Sequence, residues 1–282
     1  MYNKKFLFLI SALLLFLVNC SYSSFQTQIS EKQNIKEWFL STKYGSVESS
    51  ITWPSDNNPY PSLLMIQSSD RDNQKNTKEL LSLIGYPIIA MSISLPGIGN
   101  STGPHDFGGM KSVESIKKAI NYLVKINNNQ KKIIFLYANG FGANAAIIAA
   151  SKVSNVELLI LENGIFEPQK IIKKSPENIK IRLKKFLLDK EYKTIFRSSL
   201  HEIDKNQAPI FIIRNIRGKN YELEQHNELV KSLKMKKKKY KILDISEKSK
   251  SLIFQKLIIK KRVVPIIEKY FKKEIKFNYQ KN

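Results

Sequence analysis

The sequence predicts a doubly wound α/β domain, with a mostly parallel sheet of about eight strands, helices on both faces and a small helical insertion. Three features predict it. Short continuous apolar runs recur, as strands buried on both faces require. Amphipathic or Ala-rich stretches of helical length separate them. The two alternate to the end of the chain without an internal repeat. With 282 residues, 42% hydrophobic and 10% aromatic, the chain can fill one such core, which excludes a disordered or collagen-like protein.

The elements follow in order. Lys36 to Thr42 and Val47 to Trp53 are predicted to pair as a hairpin across Tyr44-Gly45. Ser62 to Gln67 and Pro87 to Ile93 are compact apolar strands, with an amphipathic helix near Lys75 to Ile84 between them. A helix over Ser112 to Ile126 sets Val113, Ile116, Ile120 and Leu123 on one face. Lys132 to Tyr137 reads as a central strand, Ala143 to Ser151 as a tightly packed helix and Val156 to Leu161 as the next strand. Phe166 to Asn206 interrupts the rhythm with basic helical pieces and is the expected insertion. Pro209 to Arg214, Tyr221 to Leu233, Tyr240 to Ile245 and Leu252 to Phe271 then restore strand, helix, strand and helix.

Ahead of this domain, Met1 to Asn19 carries Lys4 and Lys5, then the apolar run Phe6 to Val18, with no acidic residue. That is the pattern of a secretory signal peptide, too short to span a bilayer comfortably as a helix. The run ends in Leu17-Val18-Asn19-Cys20, which resembles a bacterial lipobox, with Asn19 where a small residue is usual. The resemblance implies that Cys20 becomes the acylated N-terminus of a protein exported to the bacterial cell envelope and anchored to a membrane. The expected organisation is residues 1–19 as signal peptide, 20–34 as a polar tether and 35–282 as the folded domain, with the insertion at about 166–206. Cys20 is the only cysteine, so no internal disulfide framework or multi-cysteine zinc site is available; no metal and no cofactor is expected.

Charge is unevenly placed. Of 47 Lys+Arg and 24 Asp+Glu, residues 1–160 hold 15 and 10, leaving 32 and 14, a net of +18, for residues 161–282. The densest run, Lys234-Met235-Lys236-Lys237-Lys238-Lys239, suits anionic lipid or an envelope polymer, or is simply a solvated face. It lacks interleaved aromatics, and no nucleic-acid partner is expected.

Three passages carry a resemblance to a known family. They are Leu95-Pro96-Gly97-Ile98-Gly99-Asn100-Ser101-Thr102-Gly103-Pro104, Leu136-Tyr137-Ala138-Asn139-Gly140-Phe141-Gly142-Ala143-Asn144 and Ile160-Leu161-Glu162-Asn163-Gly164. With the order of elements, residues 35–271 resemble the α/β-hydrolase family, in particular its prolyl-oligopeptidase and dienelactone-hydrolase-like branch. The resemblance implies chemistry at the carboxyl ends of the strands. It also implies a sharp strand-to-helix turn of the form G-x-S-x-G that projects the nucleophile. Here that turn reads Ala138-Asn139-Gly140-Phe141-Gly142, so the nucleophile position is Gly140, which has no side chain to attack with.

A literal G-x-S-x-G does occur as Gly99-Asn100-Ser101-Thr102-Gly103, but more loop follows it, through Pro104, His105, Asp106 and two glycines, where an elbow needs a helix at once. After the third strand, Gln67-Ser68-Ser69-Asp70 stands where this branch often carries His-Gly and small residues around an oxyanion hole. The family's acid position falls on Gly218, with Asn220 and Glu222 nearby, and Ile245-Ser246-Glu247-Lys248-Ser249-Lys250 offers no histidine as base. His105, His201 and His226 are expected in solvated or hydrogen-bonded structural roles. Because nucleophile, base and acid act as a unit, three readings follow. The leading one is an inactive α/β-hydrolase-like lipoprotein whose cleft, lined by Gln67, Ser68, His105, Ala138, Asn139, Gly140 and Phe141, binds a small ligand, peptide or partner. The others are an active serine esterase or peptidase with a displaced nucleophile such as Ser101, and a basic membrane-surface module.

Overall fold

The computed structural model describes residues 33–54, 60–68, 88–126, 134–174, 177, 180, 181, 183, 184, 198–218, 220–246 and 263–271. Eight strands form one sheet: β1 (Gln33–Thr42), β2 (Gly45–Pro54), β3 (Ser62–Gln67), β4 (Ile89–Ser94), β5 (Ile134–Asn139), β6 (Val156–Glu162), β7 (Ile210–Asn215) and β8 (Tyr240–Ile245). Their spatial order is β1-β2-β4-β3-β5-β6-β7-β8. β2 is antiparallel to both neighbours, and every other pairing is parallel. All strands but β2 therefore point their carboxyl ends the same way, toward the loops that follow them.

The expected hairpin forms, with Thr42 opposite Gly45 and only Lys43 and Tyr44 in the turn. Thr42 Oγ1 closes it, accepting from the Tyr44 amide at 3.2 Å and donating to the Gly45 carbonyl at 2.8 Å. β1 begins at Gln33, two residues inside the expected tether. The signal peptide, Cys20, residues 20–32, the helix expected over Lys75 to Ile84 and residues 252–262 of the last expected helix lie outside the described residues.

The helices are α1 (Met110–Ile126), α2 (Gly140–Ala150), α3 (Pro168–Ile171) with a 3₁₀ turn over Ile172–Lys174, α4 (Ser199–Glu202), α5 (Asn220–Met235) and α6 (Val264–Phe271). The strands alternate strictly between two apolar layers, because successive side chains point to opposite faces. Leu64, Ile66, Leu136, Ala138, Leu159, Leu161 and Ile212 pack with α1, α2 and α5 on one face. Leu63, Met65, Phe135, Tyr137, Leu158, Ile160, Phe211 and Ile213 pack with α6 on the other. Burying each large aliphatic side chain is worth about 1.5–3 kcal/mol. Every residue of α2 from Phe141 to Ala150 is buried, and its alanines let the helix lie close to sheet and α1. α3, the 3₁₀ turn and α4 belong to the insertion.

Two helix boundaries differ from the sequence expectation for local reasons. α2 starts at Gly140 rather than Ala143, because it follows β5 with no intervening loop. α1 starts at Met110 because Asp106 supplies acceptors to its first amides: the carboxylate accepts from the Ser112 amide at 2.9 Å and from the Ser112 hydroxyl.

Candidate functional site

β5 carries the site. Its last residue, Asn139, is extended at φ −124° and ψ 164°, and the next, Gly140, turns to φ +49° and opens α2. That left-handed value is unfavourable for any residue with a Cβ, and it lets strand pass into helix without a loop. Gly142 keeps the approach close: a Cβ there would lie 3.1 Å from the Ile66 Cγ2 atom and 3.3 Å from the Ser68 Cβ. The sharp turn of the resemblance is therefore present, with glycine at its third position.

Space for a side chain is present as well. A Cβ built on Gly140 would meet, among the described residues, only the Ser68 hydroxyl, at 3.1 Å. Ser68 leaves β3 beside the turn; its hydroxyl donates to the Asn139 carbonyl at 2.7 Å and lies 3.0 Å from Asn139 Oδ1. The Asn139 side chain is thereby turned toward Ser68 and makes no cap bond to α2. Ser68, Asn139 and Gly140 thus come together, with Asn139 and Gly140 partly exposed.

Beside them stands an apolar roof. Phe107, Phe141, Ile165, Ile171 and Leu183 form a cluster separate from the two main cores, built from the loop after β4, the first turn of α2, the loop after β6 and the insertion. His105 meets Phe107 edge to face with centroids 4.3 Å apart and lies 6.1 Å from Phe141. The roof is pinned to the turn by Ile165, whose amide donates to the Gly140 carbonyl at 2.9 Å. Asn144 ties the loop after β4 to α4, donating to the Gly108 carbonyl at 3.1 Å and accepting from the Ser199 amide at 2.8 Å. Ala138, also expected at the cleft, is fully buried in the α1–α2 layer. The side chain of Gln67 lies outside the described residues.

The titratable groups are committed elsewhere. Asp106 is 1% exposed; burial pushes its pKa up, against hydrogen bonds from Ser112, Lys111 and Gly109 that favour the carboxylate. His226 is also 1% exposed, and burial pushes its pKa down. Its Nδ1–H donates to the Glu222 carbonyl at 2.7 Å, which leaves Nε2 to accept from the Gly164 amide at 3.4 Å. The neighbouring Gln225 Oε1 accepts from the Phe166 and Glu167 amides at 2.8 and 2.6 Å. The buried face of α5 thus holds the loop after β6, and His226 lies on it rather than in solvent. At the position where the resemblance places an acid, a Cβ on Gly218 would lie 3.0 Å from the Glu222 Oε2 atom. A carboxylate reaches that region, but His226 presents its Nδ1–H to backbone and not to it. His201 is exposed on α4.

Ser101 sits in the loop after β4, away from a strand-to-helix turn. Its hydroxyl donates to the Ser94 carbonyl at 2.7 Å and accepts from the Glu48 amide at 2.9 Å. Both functions of the hydroxyl are taken by backbone, which fastens the loop to β2 and β4. The loop position expected to carry the base, residues 247–250, lies outside the described residues. No histidine occurs after His226 anywhere in the chain. Among the described residues no group of three His, Cys, Asp or Glu side chains is placed to hold a metal ion.

The strand-to-helix turn is visible in the sequence, but the fastening around it is not. Asn144 and Gln225 are buried polar residues whose partners are distant in sequence, whereas Asp106 bonds only a few residues ahead, to Ser112. Only Asp106 left a local signal, a short acidic side chain just ahead of a helix.

No protein-family model matches the chain, and no curated protein does. Solved structures do match. An acylaminoacyl peptidase from Pyrococcus horikoshii superposes with a TM-score of 0.65 at 13% identity, covering 89% of this chain and 43% of that one. An esterase from Pyrococcus furiosus gives 0.58 at 17% identity, with 88% and 90% covered. An acetyl xylan esterase from Paenibacillus sp. R4 gives 0.60 at 11% identity, with 88% and 92% covered. The chain spans 32% to 43% of the length of the peptidases it matches. These neighbours are α/β-hydrolase superfamily members, and the chain has the α/β-hydrolase fold.

Proposed function

We propose that this chain is a membrane-anchored lipoprotein whose α/β-hydrolase-like domain is catalytically inactive and binds a ligand or partner. The observation that carries the reading is Gly140: it stands at φ +49° in the turn that would project a nucleophile, with no side chain to form a covalent intermediate. The backbone around it is intact, so the loss is chemical rather than conformational. Supporting it, His226 is held by backbone partners, the hydroxyl of Ser101 is used on both sides, and no later histidine can serve as base. What remains is a polar floor, with Asn139 and Gly140 partly exposed over a buried Ser68, beside the partly exposed His105 and the buried rings of Phe107 and Phe141. That combination favours noncovalent capture of a small or extended molecule with an apolar part and a hydrogen-bonding part.

The test is turnover of short acyl esters by the purified chain from residue 20 onward. The expected rate equals that of the Ser101→Ala variant and of buffer; turnover lost in Ser101→Ala would establish a displaced nucleophile instead. Anchoring rests on the lipobox-like Leu17-Val18-Asn19-Cys20. Metabolic acyl labelling should disappear in Cys20→Ser, and label that persists there would remove the anchor. No helix among the described residues is long and apolar enough to cross a membrane.

A further inference from the structure

The basic run Lys234 to Lys239 has a definite place in the fold. The loops entering β6, β7 and β8 lie side by side at the amino end of the sheet. The Asn155 carbonyl accepts from the Ile134 amide, Pro209 from Leu159 and Lys239 from Ile210, at 3.2, 3.0 and 3.0 Å. This is the end opposite the Gly140 turn. Lys152, Lys205, Lys234, Lys236, Lys237 and Lys239 are all exposed there. Met235 is 66% exposed among them, and Ile126, at the end of α1, is 40% exposed. A shallow groove lined by Val230, Lys231, Lys234 and Met235 continues the surface along α5.

The lysines are not equivalent. Lys238 is a clamp, its Nζ donating to the carbonyls of Asp204 and Asn206, while Lys236 pairs with Asp204 at 3.6 Å and Lys205 with Glu202 at 2.9 Å. Lys237 stands at φ +52°, where the Lys238 amide closes onto the Leu233 carbonyl at 2.9 Å and its own onto Lys234 at 3.1 Å. That is the helix ending in which glycine is preferred. A lysine is thus held at a position where the backbone favours another residue.

We propose that this end of the sheet is a docking face for an anionic lipid surface. Lysines around exposed apolar side chains suit a charged headgroup layer over an apolar phase, which a purely polar polyanion does not offer. Geometry agrees, resting here on the anchored reading above. Gln33, where β1 begins, follows Cys20 by 13 residues, a length that reaches at most about 45 Å. The sheet, seven strand spacings wide, measures about 34 Å across. The tether is therefore long enough to let the basic end settle on the surface that holds the anchor, wherever twist carries β1. In that pose the Gly140 turn opens away from the lipid, and its ligand is taken from the aqueous side.

The experiment uses the chain from residue 20 with Cys20→Ser, because both an acyl group and the apolar run 6–18 would bind vesicles by themselves. Sedimentation with phosphatidylcholine vesicles, with and without one quarter phosphatidylglycerol, should show binding only to the anionic set, weakening steeply as salt rises from about 0.05 to 0.3 M. The triple variant Lys152→Gln, Lys234→Gln, Lys237→Gly should bind roughly a hundredfold more weakly, at about fivefold per lysine. Its melting temperature should not fall, since glycine improves the helix end at position 237. Removing three charges at the opposite end, with Lys43→Gln, Lys173→Gln and Arg217→Gln, should change binding less than threefold. Equal loss in the two triple variants would reduce the effect to net charge and overturn the face. Binding to neutral vesicles, or tighter capture by polyglutamate than by anionic vesicles, would overturn the lipid partner. Since the chain tested carries no acyl group, any of these failures leaves the anchoring itself to the separate labelling of Cys20.

Discussion

Two glycines, Gly140 in the turn after β5 and Gly108 in the loop that packs on Phe141, both have positive φ in very different surroundings. At Gly108, φ is +76° and a Cβ would fall 2.2 Å from the Phe141 carbonyl oxygen. Packing forbids a side chain there. At Gly140, φ is +49° and, among the described residues, a Cβ would meet only the Ser68 hydroxyl, at 3.1 Å. The first glycine holds the roof against the site; the second leaves the site vacant. On the proposed reading, conformation and chemistry have separated: the sharp strand-to-helix turn is kept, with glycine at its third position.

The difference can be broken experimentally. The largest effect is expected from Gly108→Ala, which combines a backbone collision with left-handed strain and should cost about 3 kcal/mol or more in denaturant unfolding. Asp106→Ala should cost about 2 kcal/mol, because it strips buried α1 amides of their acceptor. Gly140→Ala should cost only about 1–2 kcal/mol, the left-handed term with a small shift of Ser68. If Gly108→Ala and Gly140→Ala unfold at the same denaturant concentration, the two glycines are alike and the contrast fails.

The smallest effect is a pH dependence. His226 has a folded pKa below its ordinary value of 6.5, so the unfolded chain binds the proton more readily. Its contribution to stability is full above about pH 6.5 and is lost as pH falls from there through the folded pKa. Stability measured between pH 7 and pH 5 should decline, and His226→Gln should flatten that part of the decline. An unchanged slope would mean that the ring is not held neutral between Glu222 and Gly164.

Much of this was legible in the sequence where the signal is local. Ser62 to Gln67 coincides with β3, because a continuous apolar run bounded by polar or turn residues leaves few alternatives, and Tyr240 to Ile245 coincides with β8. The sharp passage from strand to Ala-rich helix at Gly140 was legible too, from the spacing of the two elements. What was not legible depends on contacts between distant segments. For His226 the sequence left a solvated or a hydrogen-bonded role open; it is hydrogen-bonded and buried against Phe166 with ring centroids 5.7 Å apart. Ala138 looked like a lining residue, yet strand alternation turns it into the core. The lysine run read as one charged block, whereas Lys238 is spent on two carbonyls and Lys237 sits in a strained helix ending. Each outcome was decided by which face an element buries, and a single sequence does not carry that information for short polar segments.

The central claim is that the chain keeps the turn and lacks a reactive nucleophile. Intact-mass measurement after exposure of the wild-type chain, from residue 20 onward, to a fluorophosphonate tests it directly. The account predicts an unchanged mass at a probe concentration that fully labels an active serine esterase of the same fold. A single stoichiometric adduct, mapped to Ser68, Ser101 or any other serine, would contradict it.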